Sequence, residues 1–238
     1  PRNTIMILRL KKIPLKKMRS NIEDLYKKRI HVKEYNDTPI DHNMIKDLLK
    51  KAYELVPSKQ LIVPYKIEVL GPDREEEKKI FQNFCMNETG KNSPMAPVKK
   101  RKSVGGTLQL DAPYVLLFTT RKIQDYNDAV RRMLEKKGQG FNAIRVPHHV
   151  TNTFFVEIGM FAMTLTGLCL EKGLGTSYSM CMPSRHATSW KNINHIIKAP
   201  LVSFAMSIGY TDQELPYWTR TGENLKEKKP PIENVIKF

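Results

Sequence analysis

The chain has 238 residues, 40% hydrophobic and 27% charged, which is the balance of a soluble globular protein rather than a disordered one. Its net charge of +16 keeps nucleic acid open as a partner, although a biased genome that favours lysine explains the excess more simply. The three cysteines are too few for a disulfide framework and form no C-x-x-C motif. No targeting or membrane-spanning segment is expected either, so a cytoplasmic location is predicted.

The first half of the chain alternates between helical and strand-like periods. Asp41 is a candidate helix N-cap, because its carboxylate can accept hydrogen bonds from first-turn amides, and Pro57 ends the helix that follows. The predicted elements, in order, are a basic arm at 1–20, a short helix at 21–28, an extended segment at 29–35, a helix ending at Pro57, a strand at 65–70 and a charged helix at 73–85.

The second half contains the most apolar helix, 151–172, which Gly173 is expected to terminate. We expect one domain over 21–238, preceded by the arm at 1–20, with 86–110 and 121–150 as loop or lid segments. The other predicted elements are strands at 112–119, 177–182 and 201–210, a helix within 123–137, a helix at 184–197 and an extended run at 232–238. Helices that separate a few strands indicate an α+β or α/β fold.

Several well-defined catalytic motifs are absent from the sequence. It contains neither G-x-G-x-x-G nor a P-loop nor H-E-x-x-H. His148 and His149 are adjacent, so their side chains point apart and a metal site is not expected. Cys181 with a distant histidine remains open as a nucleophile, although a strand cysteine is more often a small buried apolar residue. Composition and periodicity alone therefore leave the function open.

The order of short motifs resembles the nitroreductase family of flavin mononucleotide (FMN) enzymes. Arg29-x-x-x-Lys33-x-Tyr35 before a polar turn and Pro39-Ile40 is similar to the opening Arg-x-Ser-x-Arg/Lys-x-Phe of that family. The resemblance spans roughly residues 28–237. The further motifs that carry it are Pro57-Ser58 followed by Pro64-Tyr65, Ala112-Pro113-Tyr114, the helix from Val156 to Gly173-Leu174-Gly175, Ser207-Ile208-Gly209-Tyr210, and Lys226-x-Lys228.

The resemblance implies an α+β, three-layer fold with a mostly antiparallel central sheet, in a homodimer that exchanges a C-terminal strand. It implies hydride transfer from NADH or NADPH through FMN to an electron-poor small molecule by a ping-pong mechanism, without a dedicated catalytic residue. A fold without a glycine loop must hold the FMN phosphate with basic side chains. The cofactor-binding residues that it implies are Arg29, His31, Lys33, Pro57, Ser58, Ser179, Met180, Cys181, Lys226 and Lys228.

The chain departs from the family pattern at four positions, one of which is Ile30 in place of another polar option. His31 stands where the family has serine, and Leu61 and Val63 stand where it has asparagine and glutamine. Those two amides help to position the flavin in the family. An alternative therefore remains, in which the same fold has lost or altered its flavin chemistry and serves as a binding protein, with nucleic acid possible but not favoured. A specialised flavin enzyme, such as a dehalogenase or a flavin-destroying synthase, is a weaker alternative.

Overall fold

A computed structural model describes residues 22–58, 62–90, 108–121, 128, 131–132, 148–180, 193–197, 202–214 and 231–236. The predicted arm at 1–20 lies outside these ranges. The described helices are α1 (22–27), α2 (His42–Leu55), α3 (Glu75–Gly90), α4 (His148–Glu171) and α5 (Asn194–Ile197). The strands are β1 (Tyr65–Leu70), β2 (Tyr114–Thr120), β3 (Gly175–Ser179) and β4 (Val202–Gly209).

The four strands form one antiparallel sheet in the order β1-β2-β4-β3. Strand β2 is buried along nearly its whole length, because it is central and has a hydrophobic cluster on each face. Its sequence accordingly reads as a continuous apolar run rather than an alternating one. The predicted α+β fold with an antiparallel central sheet is confirmed.

One face of the sheet packs against α2 and α4 through aromatic side chains. The ring centroid of Phe161 on α4 lies 5.6 Å from that of Tyr65 and 5.9 Å from that of Phe118. Phe204 of β4 adds a further edge-to-face contact to Phe118 at 5.2 Å. Such geometries are the favourable ones for aromatic pairs, so these rings fix how α4 sits on the sheet.

The opposite face packs against α3 and α5. Phe81 and Phe84 of α3 and Ile196 of α5 are buried there together with Val115 and Leu117 of β2. Two hydrophobic clusters separated by one sheet make the three layers that the sequence analysis expected.

Helix α4 contains one segment, Phe154–Glu171, that is long and apolar enough by composition to cross a membrane, with a mean hydropathy of 1.5. The sequence predicts no membrane-spanning segment, and by length and composition alone this segment is an exception. Half of the segment is buried within the protein, and Phe161 and Leu165 lie in the core. Its packing is that of the central helix of a globular domain.

Both predicted helix ends that can be checked in detail are confirmed. The Asp41 side chain accepts a hydrogen bond from Asn43 N at 2.9 Å, as an N-cap does. Gly173 follows α4 with φ at +72°, a backbone conformation that a side chain would strain.

Three predicted boundaries are wrong. Helix α3 continues to Gly90, into the predicted loop at 86–110, because neither proline nor glycine interrupts the chain before that residue. Helix α4 begins at His148, inside the predicted lid at 121–150 and directly after Pro147, a residue common at helix starts. The predicted extended run at 232–238 contains a 3₁₀ turn at Ile232–Asn234 instead.

The turn at Ile232–Asn234 has a local cause. Val235 N and Ile236 N both donate to Ile232 O, at 2.9 and 2.8 Å. These bonds satisfy two amides within the segment, so the described part of the C-terminus forms a turn rather than the predicted extended run.

Candidate functional site

The segment after α1 runs along the edge of the sheet beside β3. His31 forms a parallel β-bridge with Thr176, and Val32 N donates to Thr176 O at 3.2 Å. A Cβ at Gly175 would lie 2.7 Å from Val32 Cγ2, so the absence of a side chain at Gly175 makes room for that of Val32. The predicted extended segment is thereby placed against β3, the strand that contains the predicted cofactor-binding residue Ser179.

The chain that follows β4 fastens this segment from its other side. Asn36 N donates to Tyr210 O at 3.0 Å, and Thr211 Oγ1 donates to Glu34 O at 2.6 Å. These bonds involve backbone groups of the segment, so they fix its course with little dependence on its own side chains.

Gln213 completes this attachment through its side-chain amide. Its Nε2 donates to His31 O at 3.2 Å, and its Oε1 accepts from Lys33 N at 3.0 Å. One side chain thus offers the donor and the acceptor that a neighbouring β-strand would otherwise supply. Gln213 is 7% exposed, so water cannot readily replace its hydrogen bonds, and their loss would lower the stability of the segment.

Lys33 is buried, at 7% exposure, although it carries a positive charge. Its Nζ donates to Gln109 Oε1, and Gln109 Nε2 donates in turn to Tyr178 O at 3.3 Å. A buried ammonium needs hydrogen-bond acceptors, and Gln109 provides one while it connects Lys33 to β3. The cation is therefore held at a defined position beside β3.

His31 lies within the electrostatic influence of two cations. Its burial, together with the positive charges of Lys33 and Arg29, lowers the pKa of its imidazole to about 4. The ring is therefore neutral at physiological pH, with one nitrogen that donates and one that accepts. Arg29, His31 and Lys33 combine two fixed positive charges with one neutral group that can gain a proton.

Tyr35 closes the segment with a buried phenol. Its hydroxyl donates to Ser207 O at 3.3 Å and lies 2.9 Å from Ser177 Oγ. Burial raises the pKa of Tyr35 well above its usual value, so the phenol keeps its proton. Tyr35 therefore anchors the segment to β3 and β4 as a neutral hydrogen-bonding group.

Ser58, predicted to contact the flavin, has a role within its own loop. Its Oγ accepts from Val63 N at 2.9 Å, and Val63 has φ at +45°, a conformation rare for a β-branched residue. Arg121 Nη1 donates to Ile62 O at 3.2 Å and to Val63 O at 3.3 Å. The described end of this loop, at Ile62 and Val63, is thus held by a hydroxyl and a guanidinium.

The predicted site residues divide into three sets. Arg29, His31 and Lys33 lie together on the segment beside β3, and Ser179 is buried at the end of that strand while Met180 is 69% exposed. Pro57 and Ser58 belong to the loop after α2, and their contact with a cofactor remains a prediction. Cys181, Lys226 and Lys228 lie outside the described residues.

Sequence reasoning missed Gln109 and Gln213, which hold Lys33 and the segment around it. Neither residue lies in a recognisable motif, and a single glutamine carries no periodic signal. The burial of Lys33, which requires polar partners from elsewhere in the chain, is a property of the fold and is not visible in the sequence.

Solved structures with this fold are similar to the chain over most of its length. NfrA1 nitroreductase from B. subtilis matches with a TM-score of 0.60 and 12% identity, over 91% of this chain and 73% of that one. A nitroreductase family protein from Streptococcus pneumoniae TIGR4 matches with a TM-score of 0.58 and 15% identity, over 91% and 98%. NADPH:FMN oxidoreductase from Vibrio harveyi, complexed with NAD⁺, matches with a TM-score of 0.60 and 15% identity, over 92% and 76%.

Sequence comparison assigns the family directly. No curated protein matches the chain. The model of the family described as "Nitroreductase family" matches residues 26–210, which begin before the segment beside β3 and end just after β4. This match covers more than half of the sequence and includes the sheet and its edge. The chain belongs to the nitroreductase family.

Proposed function

We propose that the protein is an FMN-dependent oxidoreductase that uses NADH or NADPH to reduce an electron-poor small molecule by a ping-pong mechanism. Membership of the nitroreductase family supports a flavin oxidoreductase in general. The similar V. harveyi enzyme, an NADPH:FMN oxidoreductase solved with NAD⁺, supports a nicotinamide donor. When bound, FMN supplies the chemistry, since it accepts a hydride equivalent and passes it on.

The observation that carries the proposal is the cationic segment beside β3. FMN has a phosphate with about two negative charges, and this chain has no glycine loop to hold it. Arg29 and Lys33 supply positive charge at one edge of the sheet, and Gln213 and Gln109 hold that edge in place. The residues present therefore fit a phosphorylated ligand, with Lys226 and Lys228 as further proposed contacts.

The end of β3 fits the flat part of such a ligand. Ser179 is buried, whereas the next residue, Met180, is 69% exposed directly after the strand. We place the ring against the backbone of Ser179, Met180 and Cys181, where peptide groups offer hydrogen bonds and Met180 offers an apolar, polarisable surface. Positioning of this kind requires no catalytic acid or base from the protein.

The first experiment is a binding measurement with FMN and riboflavin, which differ by the phosphate. Purified protein should be yellow or should bind FMN stoichiometrically. Arg29→Ala and Lys33→Ala should each lower the affinity for FMN by about ten- to a hundredfold, because a charge-assisted hydrogen bond is worth about 1.5–3 kcal/mol. The affinity for riboflavin should change less.

Lys27→Ala is the matched control for these variants, since Lys27 is exposed and paired with Glu23. It should leave both affinities unchanged. A colourless protein that binds no added FMN would contradict the proposal, and equal loss of both ligands would mean that Arg29 and Lys33 act through the fold.

We also propose that the protein is a homodimer. Helix α4 exposes Phe155, Val156 and Met163 at 39%, 60% and 42%. A second copy covering such apolar side chains would remove them from water. The interface should exceed the roughly 2,000 Å² of permanent pairs.

Light scattering tests this assembly. Val156→Glu should shift the protein towards monomer, whereas Ile80→Glu, at a 37% exposed position on α3, should not. The same comparison with residues 222–238 removed tests whether the C-terminus contributes to the dimer and to FMN binding. A folded, FMN-loaded monomer would contradict the dimer.

A second function is supported by specific features of the sequence. The net charge of +16 and the apolar Leu61 and Val63 favour a protein of this fold that binds nucleic acid. Such binding should survive physiological salt and then fall steeply with added salt, because phosphate contacts release counterions. Loss of binding already at physiological salt would indicate that the positive charge reflects amino-acid composition rather than a nucleic-acid site.

We expect the protein to work in the cytoplasm. Cys169 is a buried cysteine without a disulfide, and burial raises the pKa of its thiol to about 12. Fractionation of the native host's cells, followed by detection of the protein, checks this location.

A further inference from the structure

We propose that His31 makes ligand binding proton-coupled: the anion binds beside Arg29, His31 and Lys33, and the imidazole takes up one proton from solvent as it does so. The inference rests on the proposed FMN site and concerns a residue at which this chain departs from the family serine. The only covalent change is a new N–H bond on the ring. No electron is transferred.

The first support is the fixed geometry of the segment. Thr176 bridges His31 on one side, and the Gln213 amide bonds to His31 O and Lys33 N on the other. Residues two apart on an extended segment face the same side, so His31 and Lys33 point in the same direction. The Lys33 ammonium is fixed in turn by Gln109.

The second support is the charge around the ring. Lys33 and Arg29 both disfavour protonation of His31, as does its burial, and together they hold its pKa at about 4. Arg29 also acts on the Tyr178 phenol of β3, which stays protonated because burial raises its pKa. Other polar and charged groups on the packed elements include Gln109, Gln213, Thr176, Tyr35, the exposed Glu34 and Glu214, and Asp212, whose carboxylate accepts from Asn36 Nδ2 at 3.1 Å.

An anion reverses this balance. A phosphate dianion beside the ring offsets the two cations and favours the charged imidazole, so the pKa of His31 rises. The protonated ring then has two N–H donors instead of one. A serine in this position donates its hydrogen bond at every pH, whereas histidine makes affinity rise as the pH falls, by up to about tenfold per pH unit.

The direct test follows the His31 ring by NMR from pH 4 to 8, in the free protein and with FMN or riboflavin. His31→Gln identifies its resonance among the six histidines. FMN should raise the pKa of His31 by at least one unit and riboflavin should not, because riboflavin has no phosphate. This readout does not depend on turnover.

A binding series provides the second readout. FMN affinity of the wild type divided by that of His31→Gln should rise about tenfold between pH 8 and pH 6, if the bound pKa is near neutral. The ratio cancels the phosphate's own ionisation, whose second pKa is about 6 and is common to both proteins. His31→Ser restores the family residue and should bind FMN with the pH dependence of His31→Gln.

The outcomes separate this inference from the proposed function. FMN binding with an unchanged pKa of His31, or with a constant affinity ratio, overturns the proton coupling and leaves the flavin site standing. If FMN does not bind, the proposed function fails, and the same titration is read with inorganic sulfate, which stays dianionic over this range. A sulfate-dependent rise then supports the proton-coupled anion site, and no rise overturns it.

Discussion

The aromatic face of the sheet and the edge beside β3 are built in opposite ways. On the aromatic face, Tyr65, Phe118, Phe161 and Phe204 contact one another with centroids 5.2–6.3 Å apart. At the edge, contacts are hydrogen bonds between the segment around Lys33 and polar groups from distant parts of the chain. The first region gains stability from non-directional burial, and the second from groups that must be placed accurately.

This difference assigns the two regions different roles. Apolar burial contributes about 25 cal/mol per Å² and tolerates small shifts, so the aromatic face is suited to holding the fold. Hydrogen bonds contribute about 1 kcal/mol each but lose strength rapidly with angle and distance, so the edge is suited to positioning a ligand. Substitutions should therefore separate stability from binding.

The largest effect is expected in the core beneath α4. Leu165 is fully buried, so Leu165→Ala should lower the free energy of unfolding by about 2–5 kcal/mol through lost burial and a new cavity. Leu55 makes the matched control, because it is 65% exposed and Leu55→Ala should cost less than about 1 kcal/mol.

Urea denaturation followed by circular dichroism measures both leucine variants. At temperatures where Leu165→Ala remains folded, its FMN affinity should stay within about threefold of wild type, a difference of less than 1 kcal/mol. A large loss of affinity in the folded variant would show that the two regions are coupled.

A substitution at the edge is expected to weaken FMN binding as well as stability. Gln213→Ala leaves His31 O and Lys33 N without the amide that they share, which costs about 2 kcal/mol of stability. FMN affinity should fall as well, because the segment loses its alignment. Asn36→Ala removes an amide that donates to Asp212 and accepts from Thr38 N near the surface, so it should cost less, about 1 kcal/mol or below.

Isothermal calorimetry with FMN, together with thermal unfolding, distinguishes these outcomes. Gln213→Ala that keeps full FMN affinity would contradict the positioning role of the edge. An equal effect of Asn36→Ala would show that the attachment is spread over the whole segment rather than concentrated in one side chain.

Most of the fold could be predicted because its elements have strong local signals. Apolar and polar residues alternate along the strand at Tyr65–Leu70, which is bounded by Pro64 and Gly71. Gly173 ends a long apolar helix. The errors arose where local signals were weak. Polar residues before Gly90 do not show whether a helix continues, and the apolar residues of 232–236 do not distinguish a strand from a 3₁₀ turn.

The site was less predictable because its parts come from distant positions. Arg29, His31 and Lys33 were identified through a motif, and the structure brings them to β3. Gln109 and Gln213 are 76 and 180 residues from Lys33 in the chain. Only the folded sheet brings such residues together, so sequence spacing cannot identify them.

A smaller effect is expected from acid. Because the pKa of His31 is about 4 in the folded protein and 6.5 without perturbation, the unfolded chain binds the extra proton first. Stability is therefore lost as the pH falls from about 6.5 towards 4. The contribution is on the order of 1 kcal/mol once solvent screening is allowed for.

His31→Gln removes this titration and tests its sign. The difference in unfolding free energy between wild type and variant should be constant above pH 7 and should move in the variant's favour on acidification. Denaturation at pH 7.5 and 5.0 measures it. A difference that moves the other way would mean that the folded protein favours the charged ring even without ligand.

The smallest effect is expected at Val63, where favourable apolar packing and an unfavourable backbone conformation act on one residue. Val63 is half-buried against the aromatic face, yet its φ of +45° costs a β-branched residue about 1–3 kcal/mol. Asparagine tolerates this conformation, so in Val63→Asn the relief of strain should offset the lost apolar contact, leaving a change within about 1 kcal/mol. Val69→Asn is the matched control: Val69 is also half-buried against that face but lies in β1, so the same substitution should cost about 2 kcal/mol. Urea denaturation compares the two variants, and equal losses would contradict the strain assigned to Val63.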